Sequence, residues 1–147
     1  VEIRCAQCAD LLALDALERA AFDGHGYPKF FFRQAIDCWP EKLLVACSAG
    51  QLVGYALWAH ADSDDAWLLS LAVAESWRGQ GVAQALVRQV LQAATGCRQL
   101  LLTVDPENIA AVMLYQRLGF HSIRSEAGYF GAAGARSVYA HSLPFEC

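Results

Sequence analysis

Two short segments concentrate residue types suited to chemistry. The first is Arg78-Gly79-Gln80-Gly81-Val82-Ala83, which follows an apolar run ending Leu71-Ala72-Val73 and opens a helical pattern. A helix N-terminus leaves N–H groups without intrahelical partners and carries partial positive charge. Glycines at 79 and 81 let backbone amides approach an anion, Ala83 keeps the first turn slim, and Arg78 adds charge, so a pyrophosphate would fit. Neither Gly-Lys-Ser/Thr nor GxGxxG occurs here, which excludes a Walker loop and the dinucleotide fingerprint. On this segment alone a plain β-to-α turn is an equal alternative. The second segment is Leu102-Thr-Val-Asp-Pro-Glu-Asn-Ile-Ala-Ala-Val-Met-Leu-Tyr-Gln-Arg-Leu-Gly-Phe120. Its Asn108 suits a helix N-cap, and capping leaves ligand contact open. Its Tyr115 puts a phenol on a helix, where the alternative is a core aromatic.

The chain that must position these segments has 147 residues, 56% of them apolar and 18% charged, with a formal net charge of −4. Its mean hydropathy is +0.26 and its pI about 5.5. The length predicts a single domain over 1–147 with a self-sufficient core. The composition is too apolar for disorder. Arg, Asp, Glu or Gln interrupts every apolar stretch before the roughly 18 residues of a membrane span. Lys29 and Lys42 are the only lysines, and an acidic chain disfavours nucleic-acid binding. Val1 to Asp10 carry no basic segment followed by an apolar one, so no signal peptide is visible. Cysteines stand at 5, 8, 38, 47, 97 and 147 and are expected as free thiols in a reducing cytoplasm. Cys5 and Cys8 form a CxxC, but no second pair or spaced histidines accompany it, so no metal site is expected.

Val1 to Gln7 predicts a first strand. Asp10 reads as an N-cap, after which Leu11, Leu14, Leu17, Ala21 and Phe22 recur at helical spacing until Gly24 and Gly26. Pro28 opens a second helix over Lys29 to Asp37. Lys42 to Ser48 and Leu52 to Ala61 read as strands around Ala49-Gly50. Ala66 to Val73 is continuously apolar and predicts a strand covered on both faces. Ala83, Leu86, Val87, Val90, Leu91 and Ala94 give the next helix one apolar face, closed by Gly96. Leu100 to Val104 predicts a buried strand, and Asn108 to Leu118 a helix ending in a left-handed Gly119 with Phe120 folded back. Phe120 to Arg124 and Ser137 to Leu143 read as a closing strand pair. The order predicts an α/β (α+β mixed) fold, a mixed sheet flanked by helices.

Together the two segments resemble the GCN5-related N-acetyltransferase (GNAT) superfamily. Arg78, Gly81 and Ala83 match its Arg/Gln-x-x-Gly-x-Gly/Ala pattern, and Asn108, Ala111, Leu114, Tyr115, Leu118, Gly119 and Phe120 match its second signature. The strict resemblance runs from Leu69 to Ile123. It implies a mostly antiparallel sheet of about six to seven strands with about four helices, splayed at two central parallel strands. It implies acetyl-CoA as co-substrate and no metal. By position, the amides of Arg78, Gly79, Gln80, Gly81, Val82 and Ala83 would hold the pyrophosphate. Leu71, Ala72 and Val73 would pair with the pantetheine amides, Asn108 and Ala111 would meet the pantetheine arm, and Tyr115 would point its hydroxyl at the sulfur. A phenol of pKa near 10 is a usable donor to a thiolate whose thiol lies near 8.5. The implied reaction moves acetyl directly to a primary amine, a protein N-terminal α-amine first and a small amine metabolite or drug second. A non-catalytic CoA-sensing module is the rival. The resemblance implies no nucleic acid and no membrane among the partners, and it leaves a homodimer open.

Within the superfamily the chain is most similar to the ribosomal-protein N-terminal alanine acetyltransferases. Leu17-Glu18, Phe22, Tyr27-Pro28 and Phe31 match their acceptor-side helices, and Gly128-Tyr129-Phe130, Gly134, Arg136 and Leu143-Pro144 match their closing loop and strand. This implies Phe22, Tyr27 and Tyr129 as acceptor-binding residues. In that group a glutamate on the strand after the phosphate helix is the base. Thr103 stands there, and Ser70 stands at another place where relatives carry an acid; neither can be that base. An α-amine of pKa near 8 is about 10% neutral at pH 7 and a lysine amine below about 0.1%, so a missing base favours the α-amine. His60, Asp65, His121, His141 and a water chain remain as base candidates, although a lone strand histidine is more often structural. Asp62, Asp64 and Asp65 would steer a cationic amine or simply form a solvated loop. Phe30, Phe31 and Phe32 cannot all face one way: one or two belong to the core, and one is free to wall the acceptor site. Tyr129 lies in a Gly-rich loop suited to a lid.

Overall fold

A computed structural model describes residues 1–129 and 134–144 of the chain. Its elements are β1 (Glu2–Cys5), α1 (Leu11–Phe22), α2 (Lys29–Cys38), β2 (Leu43–Ser48), β3 (Gln51–His60), β4 (Asp65–Val73), α3 (Val82–Ala93), β5 (Gln99–Val104), α4 (Ile109–Arg117), β6 (His121–Glu126) and β7 (Arg136–Ser142). The seven strands lie in the order β1-β2-β3-β4-β5-β7-β6. β1–β2, β2–β3, β5–β7 and β6–β7 run antiparallel, and β4–β5 is parallel. The expected mixed, mostly antiparallel sheet with four helices is therefore present. The chain divides into two compact units, residues 1–58 with 70–90 and residues 59–69 with 91–147. Among the described residues no helix is long and apolar enough to cross a membrane.

In the first unit, Leu14, Leu17, Phe32, Ala35, Leu43, Val45, Tyr55, Leu57 and Ala72 make one core. The α1 stripe supplies Leu14 and Leu17, and the three phenylalanines of α2 divide by direction. Phe32 is fully buried, Phe31 half-buried, and Phe30 65% exposed. Burying one such ring contributes about 2–3 kcal/mol. Asp10 occupies the N-cap position but does not cap α1 with its side chain. Its carboxylate accepts instead from Arg4 at 2.8 and 2.9 Å and from the Gln7 N–H at 2.7 Å. A guanidinium offering two donors outcompetes a single backbone amide. α1 stops at Asp23 and Gly24, both at positive φ.

β4 departs from the expectation of a strand covered on both faces. Leu69 is 45% exposed and Ser70 and Leu71 are half-buried. Its register with β5 pairs Asp65 with Gln99, Ala66 with Leu100 and Trp67 with Leu101, while β4 itself continues to Val73. The exposed and half-buried residues Leu69 to Leu71 thus lie beyond the stretch paired with β5, on the part of β4 that leads to the turn before α3.

In the second unit, Leu101, Val138 and Ala140 pack with Trp67. β7 lies between β5 and β6, so the closing pair forms as expected and β6 becomes the exposed edge. Gly119 is left-handed at φ 97°, its N–H donates to the Gln116 carbonyl, and the Phe120 N–H donates to the Tyr115 carbonyl, both at 3.0 Å. These are the two bonds of a Schellman cap. Phe120 therefore belongs to the helix end, and β6 starts one residue later than expected. Gly96 lies in the turn that closes α3, as expected, without adopting positive φ. The turn there closes through Cys97 N–H on the Ala94 carbonyl.

Candidate active site

In the first unit, β4 passes through a short 3-10 turn, Glu75–Trp77, and an extended Arg78 into α3. Gly79 and Gly81 sit at φ 77° and 84°, a region side chains resist, and a Cβ at either position would meet nothing within 4 Å. The outer side of the turn is open. The Ala85 N–H donates to the Gly81 carbonyl at 3.0 Å, a bond spanning one helical turn. The amides of Val82, Ala83 and Gln84 precede that bond and have no carbonyl one turn back within the helix. Buried Val82 anchors the helix start, and half-buried Ala83 keeps it slim. Arg78 Nε donates to the Val73 carbonyl at 3.3 Å, and Gln80 Nε2 donates to the Ser76 carbonyl at 3.1 Å. These two bonds brace the turn, and the terminal nitrogens of the exposed Arg78 guanidinium stay available beside the backbone amides as donors. Leu71, Ala72 and Val73 form the end of β4, with Ala72 buried and the other two half-buried.

In the second unit, exposed Asn108 caps α4, its Oδ1 accepting from the Ala111 N–H at 3.2 Å. Ala111 is half-buried on the same first turn. Tyr115 is 7% exposed, and burial pushes its pKa up to about 12. Its ring meets Phe120 edge-on at 5.6 Å, and its hydroxyl makes no hydrogen bond among the described residues. Thr103 is half-buried in β5 opposite Val138 of β7.

Two of the base candidates of this unit, Asp65 and His141, are engaged structurally. Buried Asp65 accepts from Arg98 at 3.1 Å, which leaves only Asp62 and Asp64 exposed in the expected acidic cluster. His141 Nδ1 lies 2.7 Å from the Ser142 carbonyl, and its ring packs on Phe120 at 5.2 Å. His60 and His121 are exposed, at the end of β3 and the start of β6.

Among the acceptor-side residues, Phe22 ends α1 with its ring partly exposed. Tyr27 stacks on Phe31 at 4.3 Å. Burial, and then the charge of Glu18, raise the Tyr27 pKa. Tyr129 is partly exposed, its N–H donating to the Gly134 carbonyl at 3.2 Å. Phe130 lies outside the described residues.

Glu18 is the residue whose importance the sequence reading missed. It is 2% exposed on the buried face of α1. Its Oε1 accepts from the Tyr55 hydroxyl at 2.6 Å and its Oε2 from the Tyr27 N–H at 2.9 Å. Tyr55 Oη lies 2.6 Å from Ser70 Oγ. Burial, then the bond to Glu18, drive the Tyr55 pKa far above the usual range, so its proton is retained. Glu18 also lines a cleft of about 370 Å³ with Asp15, Arg19, Gly26, Tyr27 and Lys29. The available signal was a carboxylate set within the stripe Leu14, Leu17, Ala21, where a helix presents its apolar face.

The family model described as Acetyltransferase (GNAT) family matches residues 11–120. The chain belongs to this family. It is 30% identical over 99 residues to the N-alpha-acetyltransferase MAK3 of Arabidopsis thaliana, a match covering 64% of this chain and 52% of that protein. The chain thus spans about half the length of that relative. Its fold matches Ard1 from Thermoplasma volcanium with a TM-score of 0.87 at 21% identity over 98% of both chains. It matches the ribosomal-protein-S18-alanine N-acetyltransferase from Escherichia coli with a TM-score of 0.82 at 22% identity, over 99% of this chain and 96% of that one.

Proposed function

We propose that the chain is an acetyl-CoA-dependent N-acetyltransferase, one domain over 1–147, acting on a protein N-terminal α-amine. The observation that carries the reading is the open turn Arg78–Gly81, which runs into the first-turn amides of α3 that have no carbonyl one turn back within the helix. Backbone N–H groups at a helix start fit a pyrophosphate, so the donor set suits coenzyme A. In this reading the amides of Arg78 to Ala83 bind the pyrophosphate and the end of β4, Leu71 to Val73, pairs with the pantetheine arm. Asn108 and Ala111 contact that arm as well. The co-substrate supplies an acetyl thioester with a thiolate leaving group.

Tyr115 acts on that leaving group by hydrogen bonding. Delivering a whole proton from a phenol at about 12 to a thiolate whose thiol lies near 8.5 is uphill by about 5 kcal/mol. Donation without transfer carries no such cost and still stabilises the developing charge. The preference for an α-amine is supported by Thr103, which offers no base, and by the N-alpha-acetyltransferases among the relatives. Phe22, Tyr27 and Tyr129 are the proposed acceptor contacts. Exposed free thiols at Cys5, Cys8 and Cys38 suit a reducing, cytoplasmic setting.

Titration calorimetry with acetyl-CoA tests the reading, comparing wild type with Gly81→Glu. Micromolar binding lost by at least about 100-fold in the variant supports it, since a carboxylate there opposes the anion. Absence of wild-type binding overturns it. Thiol release with a panel of N-terminal peptides then tests the acceptor.

A further inference from the structure

Ser70, Tyr55 and Glu18 form one unbroken hydrogen-bonded row within the first unit, with 2.6 Å at each step. Its outer end is half-buried, its middle is closed, and its inner end borders a cleft while itself 2% exposed. Ser70 is half-buried on β4, Tyr55 has no exposed surface, and Glu18 lines the cleft beside the α1–α2 connection. Counting protons gives the row a direction. The Glu18 carboxylate only accepts, and the single hydroxyl proton of Tyr55 goes to it, so Ser70 donates to Tyr55. A lone pair of Ser70 Oγ is left to accept from outside the row. The carboxylate is also held in place from the cleft side. Its Oε2 takes the Tyr27 N–H, and a Cβ at Gly26 would fall 2.5 Å from Glu18 Cγ, so the connection closes onto this side chain.

We propose that Ser70, Tyr55 and Glu18 are a proton relay that takes the proton of the acceptor ammonium and delivers it towards the α1–α2 cleft. The proposal rests on the N-acetyltransferase reading and supplies the base which that reading lacks. In the step, the ammonium N–H bond breaks and its proton bonds to Ser70 Oγ. The former Ser70 proton bonds to Tyr55 Oη, and the former Tyr55 proton bonds to Glu18 Oε1. The nitrogen keeps the electron pair that attacks the thioester carbonyl. One positive and one negative charge disappear together, and Glu18 returns its proton to water in the cleft. Tyr55 gains and loses a proton in one motion, so no phenolate forms. The charged and titratable groups around Glu18 are Tyr55 from β3, Tyr27 from the connection, Asp15 and Arg19 from α1 and Lys29 from α2. Asp15 and Arg19 pair with each other at 3.2 Å.

The test is the pH profile of kcat/KM, read as thiol release with the N-terminal peptide turned over fastest by wild type, for wild type, Tyr55→Phe and Ser70→Ala. Both variants are expected to lose roughly 10- to 100-fold at pH 7. The deficit should shrink to about threefold or less near pH 9.5, where an α-amine of pKa near 8 is already neutral. The acetyl-CoA KM should stay within about twofold. A profile parallel to wild type, or no loss, overturns the relay and leaves the acetyltransferase reading standing. Absence of acceptor-dependent thiol release from wild type overturns both. If circular dichroism shows Tyr55→Phe unfolded, Ser70→Ala decides alone, because it removes the outer member and leaves the Tyr55–Glu18 bond intact.

Discussion

Phe120 holds Tyr115 twice: its ring meets the tyrosine ring edge-on at 5.6 Å, and its N–H donates to the Tyr115 carbonyl at 3.0 Å. The residue that allows both is Gly119, at φ 97°. A Cβ there would also stand 3.1 Å from His141 Nε2. Gly119→Ala should therefore cost about 1–2 kcal/mol in urea denaturation. Because the cap positions Tyr115, kcat should fall with it.

Tyr115→Phe separates chemistry from stability. The hydroxyl makes no hydrogen bond among the described residues, so the melting temperature should barely change. We expect kcat to drop by about 10- to 100-fold with the acetyl-CoA KM unchanged, as for loss of an interaction made in the transition state. Burial raises the phenol to about 12, so it remains a donor until pH approaches that value. A wild-type kcat that fell with a pKa near 10 would contradict this.

Asp10 should make stability depend on acid. The hydrogen bond from Arg4 and that from Gln7 hold its folded pKa below the usual 3.8. A depressed carboxylate stabilises the fold fully above its unfolded pKa and loses that contribution as pH falls through the folded value. Asp10→Asn should cost about 1–2 kcal/mol at pH 7 and progressively less as pH falls below the unfolded carboxylate pKa, measured by urea titration across that range.

Gly26 and Glu18 should be coupled. Gly26→Ala forces a Cβ into the Glu18 side chain and should destabilise by about 1–3 kcal/mol. In a Glu18→Ala background the same change should cost less than about 0.5 kcal/mol. A double-mutant cycle on denaturation midpoints measures the difference.

What was legible in the sequence is what short-range physics controls. The turn from β4 into α3, the Asn108 cap and the Gly119–Phe120 helix end each depend on residues within a few positions of one another, where φ/ψ preference and one-turn hydrogen bonds act. The stripe that buries Leu14 and Leu17 follows from helical period alone, whereas which of Phe30, Phe31 and Phe32 is buried was settled by the packing of α2. Tertiary structure decided which polar groups meet. Asp10 looked like a cap until β1 brought Arg4 beside it. Glu18, Tyr55 and Ser70 lie on α1, β3 and β4, with 37 positions separating the first two and 15 the last two. Their meeting depends on strand order and register together with the docking of a helix face, and a one-residue slip in register would turn Tyr55 away from the core. Nothing local in the chain encodes that alignment, so a buried carboxylate with two tight partners emerges only when the sheet is assembled.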